Sequence, residues 1–188
     1  MRDAYGADPL RDRLIVAGIE DIATHGLPHF SLRRVAAACQ TSCAAPYRHF
    51  ESKETFLREI VRYINRQWEL LRAEILHRWK DDPRRCLIEI SLAYIRFSVA
   101  NPQFRRILSE AGEAASSFAE EAMQNFCTAS GRSGAAAKNL RYRLSALVYG
   151  TVSMLEDGAL PNEEPTWQMI RISLEALMQE ESGRTAML

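Results

Sequence analysis

Residues 31–54 read SLRRVAAACQTSCAAPYRHFESKE, and two features of this stretch decide the fold. The first is a pair of short helical patterns. Ser31 suits an N-cap, and Leu32, Val35, Ala36 and Cys39 then recur at the spacing of one helical face. After the break Gln40-Thr41-Ser42, a second pattern runs from Ser42 or Cys43 to about Phe50. Proline has no N–H and is harmless only where that donor would lack a partner anyway, so Pro46 must lie in the first turn of this helix. Two short helices joined by three residues have the spacing of a helix-turn-helix. The second feature is charge. Arg33, Arg34 and Arg48 stand in residues 31–50 without one acid, and His49 and Lys53 extend the basic run.

The flanks are helical as well. Upstream, Asp8 suits a cap, Pro9 a first helical position and Gly26 a terminator, with Ile15, Ile19 and Ile22 as the apolar stripe between. "LPHF" then turns the chain. Downstream, Ser52 caps a long helix in which Phe56, Leu57, Ile60, Val61, Ile64, Trp68, Leu71, Ile75 and Trp79 keep helical spacing until "DDP" at 81–83. At 1.5 Å per residue it is roughly 40 Å long, enough to leave one module and enter another. The module boundary is therefore expected inside a helix, with domains at 1–54 and 55–188.

Beyond it, residues 84–100 are apolar around most of the helical circumference, which marks a helix buried on several sides. "NPQF" at 101–104 breaks it, and Pro102 suits the start of a short helix. A further helix is expected over 113–129, then a "SGRSG" loop and two closing helices. The pattern predicts an all-α protein of about nine helices: an N-terminal three-helix helix-turn-helix domain and a larger C-terminal helical domain.

Lys plus Arg equals Asp plus Glu at 24 each, so a protein that coats nucleic acid over its whole surface is excluded and any such role must be local. No apolar leader and no run of about eighteen uncharged apolar residues occurs, so neither a signal peptide nor a membrane span is expected. Cys39, Cys43, Cys86 and Cys127 form no CxxC pair, which fits free thiols in a cytoplasmic protein. His25, His29, His49 and His77 stand near no obvious nucleophile, and no glycine-rich phosphate loop exists, so no enzyme, cofactor or metal centre is expected.

The basic segment carries the side chains that hold a phosphate backbone. Hydroxyls, guanidinium groups, ammonium groups and helix N-termini serve that purpose, and Ser31, Ser42, Tyr47 and Lys53 supply several of them. A second helix laid in the major groove would present Cys43, Ala44 and Ala45, small enough for close approach, with Arg33 and Arg48 able to fork onto guanine. Residues 14–57 resemble the DNA-binding domain of the tetracycline-repressor (TetR) family: "LIVAGIEDIATHG" its first helix, "SLRRVAAACQTS" its second helix and turn, "CAAPYRHFESKETF" its recognition helix and the start of the fourth. The resemblance implies that Ser31, Tyr47, His49 and Lys53 meet phosphates, that Arg33, Cys43, Ala44, Ala45 and Arg48 face bases, and that Phe50 is core. One departure stands out: Gln40 occupies the turn where the family usually has glycine.

The resemblance further implies a regulator that binds two-fold operator DNA as a homodimer and is released by a small effector, most simply a repressor. Trp68, Tyr94, Phe97, Phe104, Phe118, Met123, Phe126 and Tyr149 are candidates for the pocket, whose aromatic character suits a hydrophobic or aromatic ligand. Leu140, Leu144, Leu147, Val148, Thr151, Leu155, Trp167, Ile170, Leu174 and Leu177 are candidates for the interface between copies. Two alternatives stay open: a thiol-sensing regulator acting through Cys43, and a dimeric helical protein that has lost DNA binding.

Overall fold

The first helix is set by its ends. The Asp8 carboxylate accepts hydrogen bonds from the backbone N–H groups of Leu10 (3.2 Å) and Arg11 (3.3 Å), and Pro9 opens α1 (Pro9–His25). Gly26, at φ 77°, returns its N–H to the Ile22 carbonyl at 2.8 Å and ends the helix, a backbone setting that costs glycine little. A 3-10 turn, Leu27–His29, follows. The structure, a computed structural model, describes residues 8–102 and 118–179, and among these it contains eight α-helices and no strand. The short helix expected from Pro102 onward lies outside the described residues.

Ser31 caps α2 (Leu32–Ala38), its hydroxyl accepting from the Arg34 N–H at 3.5 Å. The helix ends in a Schellman arrangement. Thr41 N–H reaches back to the Ala36 carbonyl and Gln40 N–H to the Ala37 carbonyl, both at 3.0 Å, with Gln40 at φ 56°. This left-handed position is the one glycine usually fills. Gln40→Gly is accordingly expected to raise stability by about 1 kcal/mol, because a side chain pays sterically for that conformation; a urea titration of the whole chain measures it.

The next helix starts later than the sequence pattern implies. α3 is Ala45–His49, preceded by a turn in which Ala45 N–H meets the Ser42 carbonyl at 2.9 Å. No side chain caps it, so Ser42 is not the cap expected of it. Pro46 keeps its place in the first turn, and the shift moves Cys43 and Ala44 out of the helix into the turn before it. Ser52 does cap the following helix: its hydroxyl accepts from Thr55 N–H at 3.1 Å as α4 (Lys53–Arg78) begins.

The described residues divide into two compact units, one holding residues 8–67 and the other residues 68–101 and 118–179, so the division falls inside α4. In the first unit Leu14, Ile15, Ile22, Phe30, Val35, Phe50, Phe56 and Ile60 are buried. The Phe56 ring stacks on Phe30 (5.6 Å) and takes Phe50 edge-on (4.6 Å). Asp21 is buried beside them, and its carboxylate accepts from Ser31 N–H (2.9 Å) and from Arg34 Nε (2.6 Å) and Nη2 (3.0 Å). Burial pushes the Asp21 carboxyl up, but the Arg34 and Ser31 hydrogen bonds, with the charges of Arg34 and His25, hold it below the usual carboxylate value.

The second unit is built around α5 (Pro83–Ala100), capped by Asp82 and buried on most sides as its sequence predicts. It packs against α6 (Glu120–Ala129), α7 (Gly134–Glu156) and α8 (Glu164–Gln179). The helix expected over 113–129 starts only at Glu120, after a turn at Phe118 and Ala119; residues 113–117 lie outside the described residues. Arg171 of α8 pairs with Glu89 of α5 at 3.0 and 3.3 Å, and Arg141 of α7 with Glu120 of α6.

Candidate nucleic-acid interface

The α2–α3 pair presents its basic side chains outward because its apolar ones are used inside. Leu32, Val35, Ala36 and Cys39 face the core of the first unit, which leaves Arg33 exposed on α2. On α3, Ala45 and Pro46 are buried while Tyr47 and Arg48 are exposed, Tyr47 at 59%. Ser42, Cys43 and Ala44 are exposed in the intervening turn. The expected base-facing set therefore loses one member. Ala45 is 7% exposed and packs inward, because the later helix start rotates it toward α1 and α2.

Two of the basic groups are held by acids. Arg34 is taken by Asp21 and also donates to the His29 carbonyl, so it ties α2 to α1. His49 is half-buried, and its Nδ1 lies 2.9 Å from Asp8 Oδ2. Lys53, the first residue of α4, is exposed with its Nζ 5.4 Å from the centre of the Phe30 ring. Ser31 is partly exposed and already occupied as a cap. Phe50 is core, 2% exposed. Arg33, Tyr47 and Arg48 have no such constraint on their exposure, and with Lys53 they make this end of the first unit locally basic in a chain of zero net charge.

In the second unit the aromatic candidates converge. Tyr94 of α5 meets Trp68 (5.3 Å), Phe118 (4.7 Å, stacked) and Tyr149 (6.0 Å), and Phe97 meets Trp68 at 5.5 Å. Met123 and Phe126 belong to the same buried cluster, and Phe104 lies outside the described residues. Ser98, one turn beyond Tyr94 on α5, is buried with its hydroxyl unpartnered in the structure; a lone serine among apolar neighbours gave no sign of this in the sequence. An open groove of about 470 Å³ lies elsewhere, lined by Asp82, Arg84, Arg85, Ile88, Arg171, Glu175 and Gln179. Its charges are largely answered within the protein, since Arg171 is on Glu89 and Arg85 lies over Trp79 at 3.8 Å.

The stripe expected to meet a second copy faces the chain's own core. Leu140, Leu144, Val148, Thr151, Leu155, Ile170, Leu174 and Leu177 are buried within the second unit, and Leu147 and Trp167 pack against the same core. The eight buried side chains present little surface to a partner, whereas Leu147 and Trp167 are only partly buried. The large apolar residues that α7 and α8 do expose are Tyr142 (74%), Met154, Met169 and Ile172 (64%).

Among the described residues no group of three or more His, Cys, Asp and Glu side chains is placed to hold a metal ion, and no helix is long and apolar enough to cross a membrane. No disulfide joins any of the four cysteines; Cys43 is exposed and the other three are buried.

A short outward-facing helix with a basic rim, set behind a capped helix and a tight turn, is the DNA-binding head of a helix-turn-helix transcription regulator. Residues 14–60 match the family of bacterial regulatory proteins described as the tetR family, so this module is a tetR-family module and the likeness read from residues 14–57 holds. Solved structures share the fold across nearly the whole chain. A protein of unknown function from Rhodococcus sp. RHA1 is 17% identical, with 94% of this chain and 97% of that one covered and a TM-score of 0.72. A TetR family transcription regulator from Marinobacter aquaeolei VT8 is 16% identical over 90% and 95% of the two chains, with a TM-score of 0.63. NalD, the secondary repressor of the MexAB-OprM multidrug efflux pump in Pseudomonas aeruginosa, is 20% identical over 89% and 96%, with a TM-score of 0.57. No curated protein matches the chain.

Proposed function

We propose that the chain is a one-component transcriptional repressor that binds a two-fold operator as a homodimer and is released by a small apolar or aromatic effector. The observation that carries this reading is the exposure of Tyr47, Arg48 and Arg33 on a helix pair whose other faces are buried. In it, Ser31, Ser42, Tyr47, His49 and Lys53 meet phosphates, and Arg33, Cys43, Ala44 and Arg48 face bases. The effector is held by the aromatic cluster around Tyr94, and α4, which runs continuously from one unit into the other, transmits its binding. A ligand that prefers the non-binding dimer by about 3 kcal/mol lowers operator affinity roughly 100-fold.

The test is fluorescence anisotropy with the duplex upstream of the chain's own gene, at several salt concentrations, beside a scrambled duplex. A steep fall of affinity with log salt and a preference for the native duplex support the reading. Tyr47→Phe is expected to weaken binding to both duplexes alike, by about 1 kcal/mol for one phosphate hydrogen bond. Arg33→Ala is expected to weaken the native duplex more, by about 1–3 kcal/mol, and to relax base preference. Unchanged affinity and salt slope in Tyr47→Phe would remove the phosphate assignment.

For the second copy, the surface offered is the exposed face of α7 and α8 rather than the buried stripe. A partner there covers Tyr142, Met154, Met169 and Ile172, apolar groups that water otherwise meets. Ile172→Glu is expected to shift the protein from dimer to monomer in sedimentation velocity, since it places a charge within an apolar contact. A wild-type monomer at the same concentration would end the homodimer reading.

A further inference from the structure

We propose that the Ser98 hydroxyl is the polar anchor of the effector site, which therefore takes an uncharged, flat aromatic molecule bearing one oxygen function, a phenol or an aromatic carbonyl. The proposal rests on the reading that the aromatic cluster around Tyr94 holds the effector. It adds the hydrogen bond which that reading does not contain.

Two serines on α5 make the comparison. Ser91 and Ser98 stand seven residues apart, about two turns along one face of the helix, and are 0% and 1% exposed. The Ser91 hydroxyl donates to the Leu87 carbonyl four residues back, at 2.7 Å, a common way for a helix to satisfy a buried serine. Ser98 has the Tyr94 carbonyl at the same offset but makes no such bond. Its Oγ has no hydrogen-bond partner among the described residues. A hydroxyl held out of water without a partner is destabilising, so a ligand oxygen that reaches it recovers a cost the empty protein carries.

The neighbours of Ser98 fix the rest of the ligand. Tyr94, one turn before it, is stacked on Phe118 at 4.7 Å and met edge-on by Trp68 and Tyr149. Phe97 precedes Ser98 in the chain and tilts against Trp68 at 5.5 Å. Such walls favour a flat ring, which stacks on some faces and meets others by its edge. Phe97 and Tyr149 are only partly buried, so the cluster reaches solvent at these two rings, and they are the ones a ligand displaces on entry. Charge is disfavoured by the same surroundings. Among the described residues the second unit buries no Asp, Glu, Lys or Arg side chain, so an ion enclosed there would leave water without a counter-charge.

The test is equilibrium dialysis of the full chain at neutral pH against three probes of one shape: 2-naphthol, naphthalene and 2-naphthoate. Wild type is expected to bind 2-naphthol about tenfold more tightly than naphthalene, the scale of one hydrogen bond, and 2-naphthoate more weakly than either. Ser98→Ala is expected to bind the two uncharged probes alike, with its naphthalene affinity unchanged. Tyr149→Leu is expected to weaken both by the same factor, which assigns them to the cluster. Urea denaturation without a probe tests the bare protein: Ser98→Ala should be at least as stable as wild type, because it deletes an unpaired group and suits a helix better. A 2-naphthol preference that survives in Ser98→Ala, tightest binding of 2-naphthoate, or a loss of stability in Ser98→Ala overturns the proposal and leaves the cluster standing as the effector site. If no probe binds wild type, or if Tyr149→Leu binds them as wild type does, the cluster is not the effector site and the proposal falls with it.

Discussion

Gly18→Val is expected to destabilise the protein by about 3 kcal/mol, at the upper end of what overpacking a core costs. A Cβ at position 18 would stand 2.5 Å from Phe56 Cε1 and 2.9 Å from both Phe56 Cζ and Ile60 Cδ1. None of these atoms is free to retreat. Phe56 and Ile60 are fully buried, and the Phe56 ring is wedged between Phe30 and Phe50. Gly18→Ala reveals the same contact more sharply, because helix propensity alone favours alanine by about 1 kcal/mol, yet the variant is expected to be less stable than wild type. Urea denaturation of the whole chain, with Phe56→Leu added to each variant, checks the cause. If the smaller side chain at 56 restores nothing to Gly18→Ala, the close approach of α1 and α4 is not what glycine serves here.

Asp21→Asn is the second large effect, a loss of about 2 kcal/mol at pH 7. The asparagine oxygen can still accept from Ser31 N–H, but its NH2 group meets the donors of Arg34, which approach Asp21 at 2.6 and 3.0 Å. A charged hydrogen bond is worth about 1.5–3 kcal/mol, and the value stays in the lower part of that range because Arg34 remains half in solvent and screened. The pH dependence gives the mechanism. Asp21 titrates below its ordinary value in the folded protein, so its contribution is fully present above the unfolded carboxyl value of about 3.9 and is lost as pH falls through the folded one. The gap between wild type and Asp21→Asn should therefore be present at pH 7 and shrink toward pH 3. A gap that keeps its size at pH 3 would assign the effect to shape and not to charge.

Much of this architecture was legible because it is written in local chemistry. Asp8, Pro9 and Gly26 bound α1, Ser31 caps α2, Ser52 caps α4 and Asp82 with Pro83 opens α5, each through atoms a few residues apart. What stayed hidden needed the third dimension. Periodicity at Leu140, Leu144, Val148 and Leu155 reveals an apolar stripe, but it does not say whether the chain or a second copy covers it. Ala45 carries only a methyl group, equally at home against a base or a core. The Asp8–His49 pair joins residues far apart in sequence, with no pattern linking them. Gln40 is the instructive middle case: the missing glycine was visible, but only the structure has glutamine adopting the left-handed turn at φ 56° instead of avoiding it.

The five residues of α3 bear on how this head can be re-engineered. So short a helix cannot sustain itself, since isolated helices under a dozen residues are marginal; its order is borrowed from buried Ala45 and Pro46 and from the Phe50 behind them. Cut out and grafted elsewhere, the segment would be coil. Within its own scaffold the opposite freedom holds. Cys43, Ala44, Tyr47 and Arg48 are all exposed, so they can be exchanged for other side chains with the framework left standing, and new sequence preferences can be screened on one unchanged body.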